Sequence, residues 1–463
     1  AGRSVRATLE GGVVVDDRYT VLVEKVKQLL SDGSTEALTG LVDSLHPADV
    51  VDILELLDDS ARSAFFHAIP ADKAADIVQE LDPDDQTEII RMMGAARSSE
   101  ILREMDSDDA ADLIGELPES KAETLLELMN SEGDEVRELL QYDEDSSGGI
   151  MATEYVTVNM EWTVEKTLAQ LRHAAPEAET VYYIYVVDAD ERLVGVLSLR
   201  DLVIADLKRK ISSIMSRNVL SVPVEADQEE AAQLFKKYRY LALPVVDRDN
   251  RLAGIITADD ILDVVEEEAT EDIQKIAGTM PLDRPYFATS VKELWRSRVV
   301  WLMVLFLAES VTGKILQNFS TAMQSVIELT FFIPLLIDCG GNAGSQAASV
   351  VIRGLAVRDI RMRDVWSVFA RELTLGLALG LSMSGIAFLR AWRVGGNPII
   401  GVIVCTSVLV IVTVATIVGS MLPIAATALH LDPAVMSSPL ITTIVDGTGL
   451  MIYFSIARAL LKL

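Results

Sequence analysis

The chain has 463 residues and a formal net charge of −30, and this charge is distributed unevenly. Residues 291–463 carry 13 basic and 9 acidic side chains, a net charge of +4, so residues 1–290 carry a net charge of −34. So acidic a surface argues against binding to nucleic acid and favours binding of cations. An apolar C-terminal part joined to a larger acidic part argues against a soluble enzyme and indicates a membrane protein with a large soluble attachment.

The apolar part, residues 291–463, predicts five membrane-spanning segments, because a spanning helix needs about 20 mostly apolar residues. The predicted spans are Val299–Phe319, Ile327–Ile352, Leu373–Leu389, Pro398–Leu429 and Ser437–Leu460. Arginines precede the first span and follow the second, which marks that side of the membrane as cytoplasmic. We therefore expect a multi-pass protein of the plasma (inner) membrane, with cytoplasmic N-terminal domains and an extracytoplasmic C-terminus.

Residues 50–128 contain a repeat with a period of about 24 residues. The similar segments VVDILELL, AADIVQEL, SSEILREM and KAETLLEL begin at residues 50, 74, 98 and 121, and prolines separate them. A further copy, AADLIGEL at 110–117, falls outside this register. Short helices repeated in this way predict a small α-solenoid, a fold that offers surfaces for partners or ions. We assign residues 1–145 to this acidic N-terminal domain.

A second repeat relates YVVDADERLVGVLSLRDL (185–202) to PVVDRDNRLAGIITADDI (244–261). Each copy predicts a strand, a turn, a second strand and a helix. The pattern resembles a tandem pair of α/β CBS domains, which we place at residues 146–208 and 209–264. The resemblance implies a site for ATP or another adenine nucleotide, formed by Ser198 with Asp201, Thr257, Tyr183 and Tyr240. The residues alone leave open that each hydroxyl and the acid after it only cap a helix.

The stretch after the second CBS-like copy is a run of acidic residues that ends before Lys275. On a helix these acids share faces, and like charges at such spacings cost about 0.2–0.5 kcal/mol per pair. Such a helix is more stable when cations are present, although a solvated helix screened by salt is the alternative. We assign a connecting helix to residues 265–290 and infer a cation sensor. Its expected residues are Asp260, Asp263, Glu267, Glu268, Glu271 and Asp272, followed by Asp227, Glu229, Asp108, Asp109 and Asp112.

Two apolar segments contain unusual polar residues. Asp446 lies inside the last predicted span, where a charged side chain costs about 2.5–3.5 kcal/mol on insertion scales and indicates a functional site. The second span contains DCGGNAGSQ (338–346). The alternatives are a protonated Asp446 bonded to a neighbouring helix, and small residues that serve only helix packing. No nucleophile–base pair, phosphate-binding loop or zinc-ligand spacing is evident, so we do not expect an enzyme.

PLLIDCGGNAGSQAASVVIRGLAVRDI (334–360), LDPAVMSSPLITTIVDGTGLMIYFSIAR (431–458) and DVVEEEATEDI (263–273) resemble the MgtE family of magnesium channels and transporters. The HPAD at 46–49 fits that family's N-terminal domain. The resemblance implies a homodimer with an ion pore on its twofold axis, closed by the acidic connecting helix when the cytosolic domains bind Mg²⁺. The pore residues are then Asp446, Thr442 and Asn342, with Asp432 near one end. This sequence departs from the family's pattern at Ser438, Asp338 and Arg239.

The expected fold is therefore multidomain: a helical N-domain, a CBS pair, a connecting helix and a five-helix transmembrane domain over residues 291–463. The expected function is uptake of Mg²⁺ down its electrochemical gradient, which supplies about 2.3 kcal/mol per charge per 100 mV. Oxygen ligands favour hard cations without deciding among them, so transport of Co²⁺ or Mn²⁺ is one alternative. A membrane-anchored sensor of Mg²⁺ or nucleotide that does not conduct is another.

Overall fold

The chain folds into two compact units, residues 1–266 and residues 267–463. The structure is a computed structural model, and it describes residues 6–8, 14–174, 178, 180–282, 286–287, 289–395 and 397–462.

The first unit begins with a short antiparallel pair of strands, β1 (Arg6–Thr8) and β2 (Val14–Asp16), and continues as a series of helices. These are α1 (Asp17–Ser31), α2 (Thr35–Val42), α3 (Pro47–Leu54), α4 (Asp59–Ala68), α5 (Ala71–Gln79), α6 (Pro83–Met93), α7 (Ala95–Leu102), α8 (Ser107–Gly115), α9 (Glu119–Met129) and α10 (Ser131–Leu139).

The helices from α3 to α10 form two stacked layers. Helices α3, α5, α7 and α9 contact one another in order, and α4, α6, α8 and α10 do the same. Each 24-residue repeat is therefore a helix pair, and the predicted α-solenoid is confirmed. The copy AADLIGEL lay outside the register because it belongs to α8, in the other layer.

The CBS-like part repeats one arrangement of strands and helices. Its elements are β3 (Thr157–Asn159), α11 (Val164–Ala174), β4 (Tyr183–Val187), β5 (Leu193–Ser198), α12 (Leu199–Ile204), β6 (Val222–Pro223), α13 (Gln228–Tyr238), β7 (Ala242–Val246), β8 (Leu252–Thr257) and α14 (Ala258–Ala277). In both sheets the first pairing is parallel and the second is antiparallel, in the orders β3-β4-β5 and β6-β7-β8. The predicted order of strand, strand and helix is confirmed in both copies.

The solenoid packs on the second CBS-like copy. One continuous apolar core includes solenoid residues such as Phe66 and Ile114 together with Phe235 and Ile256 of the second copy. The first copy has its own core around Ile184. Within the same unit, Asp109 on α8 lies within electrostatic reach of Asp260 near the start of α14.

Helix α14 differs from the connecting helix predicted for residues 265–290. It begins at Ala258 as the last helix of the second CBS-like copy and ends at Ala277 without interruption. No glycine or proline lies between these residues, and Gly278 then adopts a positive φ of 76°, which terminates helices readily.

The second unit is helical. It contains α15 (Val291–Asn318), α16 (Ser320–Ser325), α17 (Ile333–Ala356), α18 (Val365–Gly395), α19 (Pro398–Ala428) and α20 (Ser438–Leu461), with short 3₁₀ turns before α17, α18 and α20. Helix α19 packs against α17, α18 and α20, while α15 packs against α20. The core of the unit lies where α17, α19 and α20 meet.

Four helical segments of the described chain are long and apolar enough to cross a membrane, where five were predicted. They are Val291–Asn318, Met362–Val394, Pro398–Ala428 and Ser438–Leu461. Helix α17 has 24 residues, but its glycines, Asn342 and Gln346 lower its apolar content. The predicted second span also began too early, because residues 327–332 form a 3₁₀ turn and Pro334 opens α17.

Candidate ion pathway and soluble acidic cluster

Asp446 lies near the middle of α20 and is half-buried. Its Oδ1 atom is buried and has no hydrogen-bond partner among the residues that the structure describes. For this oxygen, the structure does not support the alternative that Asp446 forms a hydrogen bond with a neighbouring helix. A carboxylate oxygen left without a donor is available to a cation.

Helices α17 and α20 approach closely through glycines. A methyl group on Gly341 would lie 2.8 Å from Cγ2 of Thr442, so only glycine fits this position without a shift. Ser345 Oγ lies 3.3 Å from Thr442 Oγ1, and Thr442 Oγ1 donates to the Ser438 carbonyl at 2.9 Å. The glycines of DCGGNAGSQ thus serve helix packing, which was the alternative role given for them in the sequence analysis. They also bring hydroxyl and carbonyl oxygens together one turn before Asp446.

The polar side chains of α17 lie on another face. Asp338, Asn342 and Gln346 are spaced four residues apart and are exposed, and we call these three residues the polar stripe. Ser345 contacts Thr442 and Gly340 contacts Val445, so α17 and α20 run antiparallel. This direction carries the stripe along α20 towards the level of Asp446.

Asp432 lies in the short turn before α20, where its Oδ1 accepts a hydrogen bond from the Ala434 backbone N–H at 2.8 Å. Its Oδ2 lies 2.8 Å from Lys275 Nζ, and Glu271 Oε1 lies 2.7 Å from the same nitrogen. Partial burial raises the pKa of the Asp272 carboxyl, and the Asp432 carboxylate adds to the rise. The sequence predicts Asp432 as a pore residue and Glu271 and Asp272 as sensor residues, but it does not indicate Lys275 as their partner.

A second group of carboxylates lies in the first unit, and we call Asp106, Asp109, Asp259 and Asp260 the acidic cluster. Gln79 Nε2 donates to Asp106 Oδ2 at 2.8 Å and to Asp109 Oδ2 at 2.6 Å. Burial raises the pKa of Asp109 to about 7. The Gln79 hydrogen bond opposes that rise, and the nearby carboxylates, Asp260 first, add to it. Burial likewise raises the pKa of Asp260 and Asp106.

The other predicted sensor residues are spread over several places. Asp263 lies beside the acidic cluster on α14, and its pKa is raised by partial burial and then by Asp259. Asp108 is buried and accepts a hydrogen bond from the Asp109 backbone, whereas Asp112 is exposed. Asp227 caps α13 by accepting from the Glu229 N–H at 2.8 Å. Glu267 and Glu268 continue along α14.

Sequence reasoning missed Gln79, Asp106 and Asp259 as partners of this cluster. Asp106 precedes α8 by one residue and lies three residues before Asp109, a spacing that places both at the start of one helix. Gln79 ends α5 in the preceding repeat. The D-x-x-D spacing was a usable signal for Asp106, but the role of Gln79 depends on how the repeats stack.

No group of three or more Asp, Glu, His or Cys side chains in the described ranges is arranged to hold a metal ion. Mg²⁺ is commonly held by one or two carboxylates and keeps several of its waters. Burial and mutual repulsion make the carboxyl groups of Asp109 and Asp260 costly to ionise. Their oxygens are the kind of donor that Mg²⁺ prefers.

The predicted nucleotide residues form two local pairs. Ser198 Oγ donates to Asp201 Oδ2 at 2.7 Å and accepts from the Asp201 N–H at 3.1 Å. Thr257 Oγ1 donates to Asp260 Oδ2 at 2.6 Å. Both arrangements are those of a helix cap, which was the alternative to nucleotide binding that the residues alone left open. Asp201 is exposed, but Asp260 belongs to the acidic cluster, so the two pairs are not equivalent.

Tyr183 and Tyr240 contact each other where the two CBS-like copies meet. Their ring centroids are 6.5 Å apart in an edge-to-face arrangement, and Tyr238 stacks on Tyr240 at 5.7 Å. Tyr183 also pairs with Ser198 across the β4–β5 ladder. The structure therefore brings together the tyrosines and the Ser198–Asp201 pair.

Comparison with known families finds matches along most of the chain. A divalent cation transporter domain matches residues 333–456, an MgtE intracellular N domain matches residues 45–145, and CBS domains match residues 147–208 and 211–267. These matches follow one another in the order expected from the sequence.

Relatives cover a similar extent. The magnesium transporter MgtE of Thermus thermophilus is 47% identical over 330 residues, which are 71% of this chain and 73% of that protein. The magnesium transporter MgtE of Enterococcus faecalis is 36% identical over 336 residues, 72% and 73% of the two chains. The crystal structure of the soluble part of a magnesium transporter has a TM-score of 0.52 and 34% identity, covering 54% of this chain and 99% of that one. The chain belongs to the MgtE family of membrane transporters.

Proposed function

We propose that this chain is a Mg²⁺-selective channel or transporter that admits Mg²⁺ to the cytoplasm down its electrochemical gradient. The observation that carries the proposal is Asp446, whose buried Oδ1 has no partner in the described part of the chain. Relatives named magnesium transporters support the choice of ion.

The donors around Asp446 suit a largely hydrated ion. Mg²⁺ demands six oxygens in octahedral geometry and sheds water reluctantly, so its path should offer few carboxylates and several neutral oxygens. Asp446 supplies the carboxylate, and the Thr442 hydroxyl with the Ser438 carbonyl lies one turn away. Asn342 on the polar stripe adds an amide oxygen.

We further propose that two copies assemble with the polar stripe of α17 and Asp446 of α20 facing a shared pathway. Asp338, Asn342 and Gln346 are exposed in a single chain, and polar side chains at membrane depth face water or another protein segment. Oxidative cross-linking of Asn342→Cys in membranes tests this arrangement. The Asn342→Cys chain should form a covalent dimer. Val311→Cys, at an exposed position on α15, is the control. Equal yields of cross-linked dimer from the two variants would contradict the proposed arrangement.

The proposed orientation places the N-terminal domains in the cytoplasm and the C-terminus outside, with α17 as the fifth crossing. Arg358, Arg361 and Arg363 lie between α17 and α18, on the side that positive residues mark as cytoplasmic. Labelling of a cysteine placed at Lys462 in intact cells by a membrane-impermeant thiol reagent tests this orientation. Labelling only after lysis would place the C-terminus inside.

Closure is proposed to follow binding of Mg²⁺ to the soluble carboxylates. Without Mg²⁺, repulsion within the acidic cluster loosens the packing of α8 against α14, and a bound divalent ion removes that repulsion. Asp109 and Asp260 would hold the ion, supported by Asp106 and Asp259. Because α14 is continuous from Ala258 to Ala277, a change at its start is carried to its end.

An adenine nucleotide is proposed to bind the first CBS-like copy. Its Ser198–Asp201 pair is accessible beside Tyr183, whereas Asp260 of the second copy is committed to the acidic cluster. ATP is the first nucleotide to test, by equilibrium binding to the full chain in detergent.

Flux into proteoliposomes tests the function as a whole. Vesicles carrying the purified chain and an internal Mg²⁺ indicator should take up Mg²⁺ when internal Mg²⁺ is absent, and uptake should fall as internal Mg²⁺ rises. Uptake of Co²⁺ or Mn²⁺ in preference to Mg²⁺ would favour a transporter for another divalent ion. A folded chain that conducts none of these ions would favour a sensor.

A further inference from the structure

Helix α15 carries an acidic side chain in the middle of a predicted span. Glu309 is the central residue of the span predicted for residues 299–319, and its side chain is exposed in the single chain. Its neighbours Phe306 and Leu307 are 77% and 69% exposed, as side chains that face lipid are. A charged group is costly in lipid, so acids within spans face the interior of a bundle or a water-filled cavity.

The basic residues of α15 do not neutralise Glu309. Lys314 is the nearest of them along the helix, but five residues turn it about 140° away from Glu309. Arg298 lies on the same face, but eleven residues place it about 16 Å away. The Glu309 carboxylate is therefore left for water or for a cation from outside the helix.

Two contacts fix how α15 lies along α20. Trp301 Nε1 donates to Ser437 Oγ at 3.0 Å, directly before α20 begins. Further along both helices, a methyl group on Gly447 would lie 3.7 Å from Thr312 Oγ1. Because the contacts advance in the same order along the two helices, α15 and α20 run parallel.

Glu309 therefore lies at the depth of Asp446. It precedes Thr312 by about one helical turn, and Asp446 directly precedes Gly447. Among the described residues, Glu309 is the charged side chain whose repulsion reaches Asp446. Two carboxylates on neighbouring helices thus repel each other at one level of the span, and a cation between them would relieve this repulsion.

The position of Asp446 on α20 points to the same place. Val445 contacts α17 and Gly447 faces α15, and consecutive residues are turned by about 100° around a helix. The Asp446 side chain therefore leaves α20 between α17 and α15. Both helices that border it carry polar side chains in the span: α17 has the polar stripe, and α15 has Glu309.

We propose that Glu309 lines the same ion path as Asp446 and strengthens the preference of that path for divalent over monovalent cations. The inference rests on the proposed function, because it names a second residue that selects the ion. Mg²⁺ is commonly held through one or two carboxylates while it keeps several waters. Coulomb attraction is proportional to the charge of the ion, so losing the Glu309 charge weakens the attraction of a divalent ion twice as much as that of a monovalent ion.

Uptake of Mg²⁺ by proteoliposomes in competition with Na⁺ tests the selectivity. Ionic strength is held constant with a large organic cation, so that screening does not change. Glu309→Gln should keep uptake at saturating external Mg²⁺, because Asp446 remains. It should raise the external Mg²⁺ needed for half-maximal uptake by about fivefold or more, and Na⁺ should inhibit at lower concentrations than in the wild type. Glu309→Asp should stay close to the wild type.

Asp359→Asn provides the matched control, because it removes one exposed acid between α17 and α18, outside the spans. It should leave both the half-maximal Mg²⁺ concentration and the inhibition by Na⁺ unchanged. If Glu309→Gln behaves like Asp359→Asn in both measurements, the role of Glu309 in selectivity is wrong.

Cysteine accessibility locates Glu309 without reference to conduction. In a chain with Cys339 and Cys405 changed to Ala, Glu309→Cys in membranes should react with a charged methanethiosulfonate reagent, because a reactive thiolate forms where water reaches it. Val311→Cys is the control, since it is exposed at nearly the same depth but turned about 200° around α15. It should react at least about tenfold more slowly, and equal rates at the two positions would overturn the placement of Glu309.

The two experiments separate this inference from the proposed function. A wild type that conducts no cation would refute the proposed function and with it the selectivity, while the accessibility result would still decide whether Glu309 faces water. A wild type that conducts Mg²⁺, together with an unreactive Glu309→Cys, would leave the proposed function standing and refute the role of Glu309.

Discussion

Gln79 donates a 2.6 Å hydrogen bond to the carboxylate of Asp109 and thereby links two successive repeats of the solenoid. The same carboxylate lies within electrostatic reach of Asp260 on α14. Helix α8 of the solenoid and the start of α14 thus meet near a carboxylate that is costly to ionise. Proton and cation binding at this position should compete.

The first prediction concerns pH. The pKa of Asp109 is about 7 in the folded chain and 3.8 in its ordinary state, so between these values the folded chain holds a proton that the unfolded chain has released. Stability should therefore fall as pH rises through this window in Mg²⁺-free solution. Thermal unfolding of the full chain in detergent at about pH 5.5 and 7.5 measures the change, and Asp109→Asn should reduce it. A midpoint that rises with pH equally in both chains would contradict the assignment.

The second prediction concerns Mg²⁺ and the acidic cluster. Asp109→Asn with Asp260→Asn should stabilise the Mg²⁺-free chain, because it removes repulsion, and should weaken the extra stabilisation that Mg²⁺ gives. Mg²⁺ at a concentration of a hundred times its Kd, bound only to the folded chain, would raise the free energy of unfolding by about 2.7 kcal/mol. Thermal unfolding detects a change of this size. Asp249→Asn, an exposed change in the β7–β8 turn, is the control. The cluster is not the site if Mg²⁺ protects the double variant as well as it protects the control.

The third prediction tests the close packing of α17 on α19. A Cβ on Gly419 would overlap the backbone of Gly344, so Gly419→Ala should force the two helices apart. Overpacking of this kind costs about 1–3 kcal/mol, against a gain of about 1 kcal/mol from the better helix propensity of alanine. Gly313→Ala on α15 meets nothing within 4 Å and should be neutral or stabilising. Thermal unfolding in detergent compares the two, and equal midpoints would show that α17 and α19 are not packed this closely.

The fourth prediction concerns the nucleotide. Ser198→Ala and Asp201→Asn should weaken binding of ATP to the full chain by about tenfold or more, equivalent to about 1.4 kcal/mol. Thr257→Ala should have a smaller effect, because Thr257 is buried against Asp260 of the acidic cluster. Calorimetric titration measures all three. Equal losses at both copies would contradict the asymmetry, and unchanged affinity in the Ser198 and Asp201 variants would place the nucleotide elsewhere.

Much of the fold follows from periodicity in the sequence. The 24-residue repeat predicted the helix pairs of the solenoid, and the two similar segments at 185–202 and 244–261 predicted the repeated strands. Patterns of this kind depend on residues that are close in the sequence, so they can be recognised in a single sequence. The start of α14 was misplaced because no helix-breaking residue separates the last CBS-like helix from the acidic run.

The candidate sites were less accessible from the sequence. Asp446 was evident because an acid stands out in an apolar segment, and α17 was assigned as a span although its glycines and polar stripe lower its apolar content. The partners of the acids were not evident. Lys275 and Asp432 are 157 residues apart, and Gln79 reaches Asp109 only through the stacking of repeats. Such contacts are set by tertiary packing, on which local spacing carries no information.

The most direct test of the account is Mg²⁺ uptake by proteoliposomes loaded without Mg²⁺, comparing the wild type with Asp446→Ala. Asp359→Asn, an exposed acid between α17 and α18, serves as the control. The account predicts that uptake persists in the wild type and the control and is lost in a correctly folded Asp446→Ala chain, because the carboxylate on the ion path is gone. Equal uptake by Asp446→Ala and the wild type would contradict it and place the pathway away from α20.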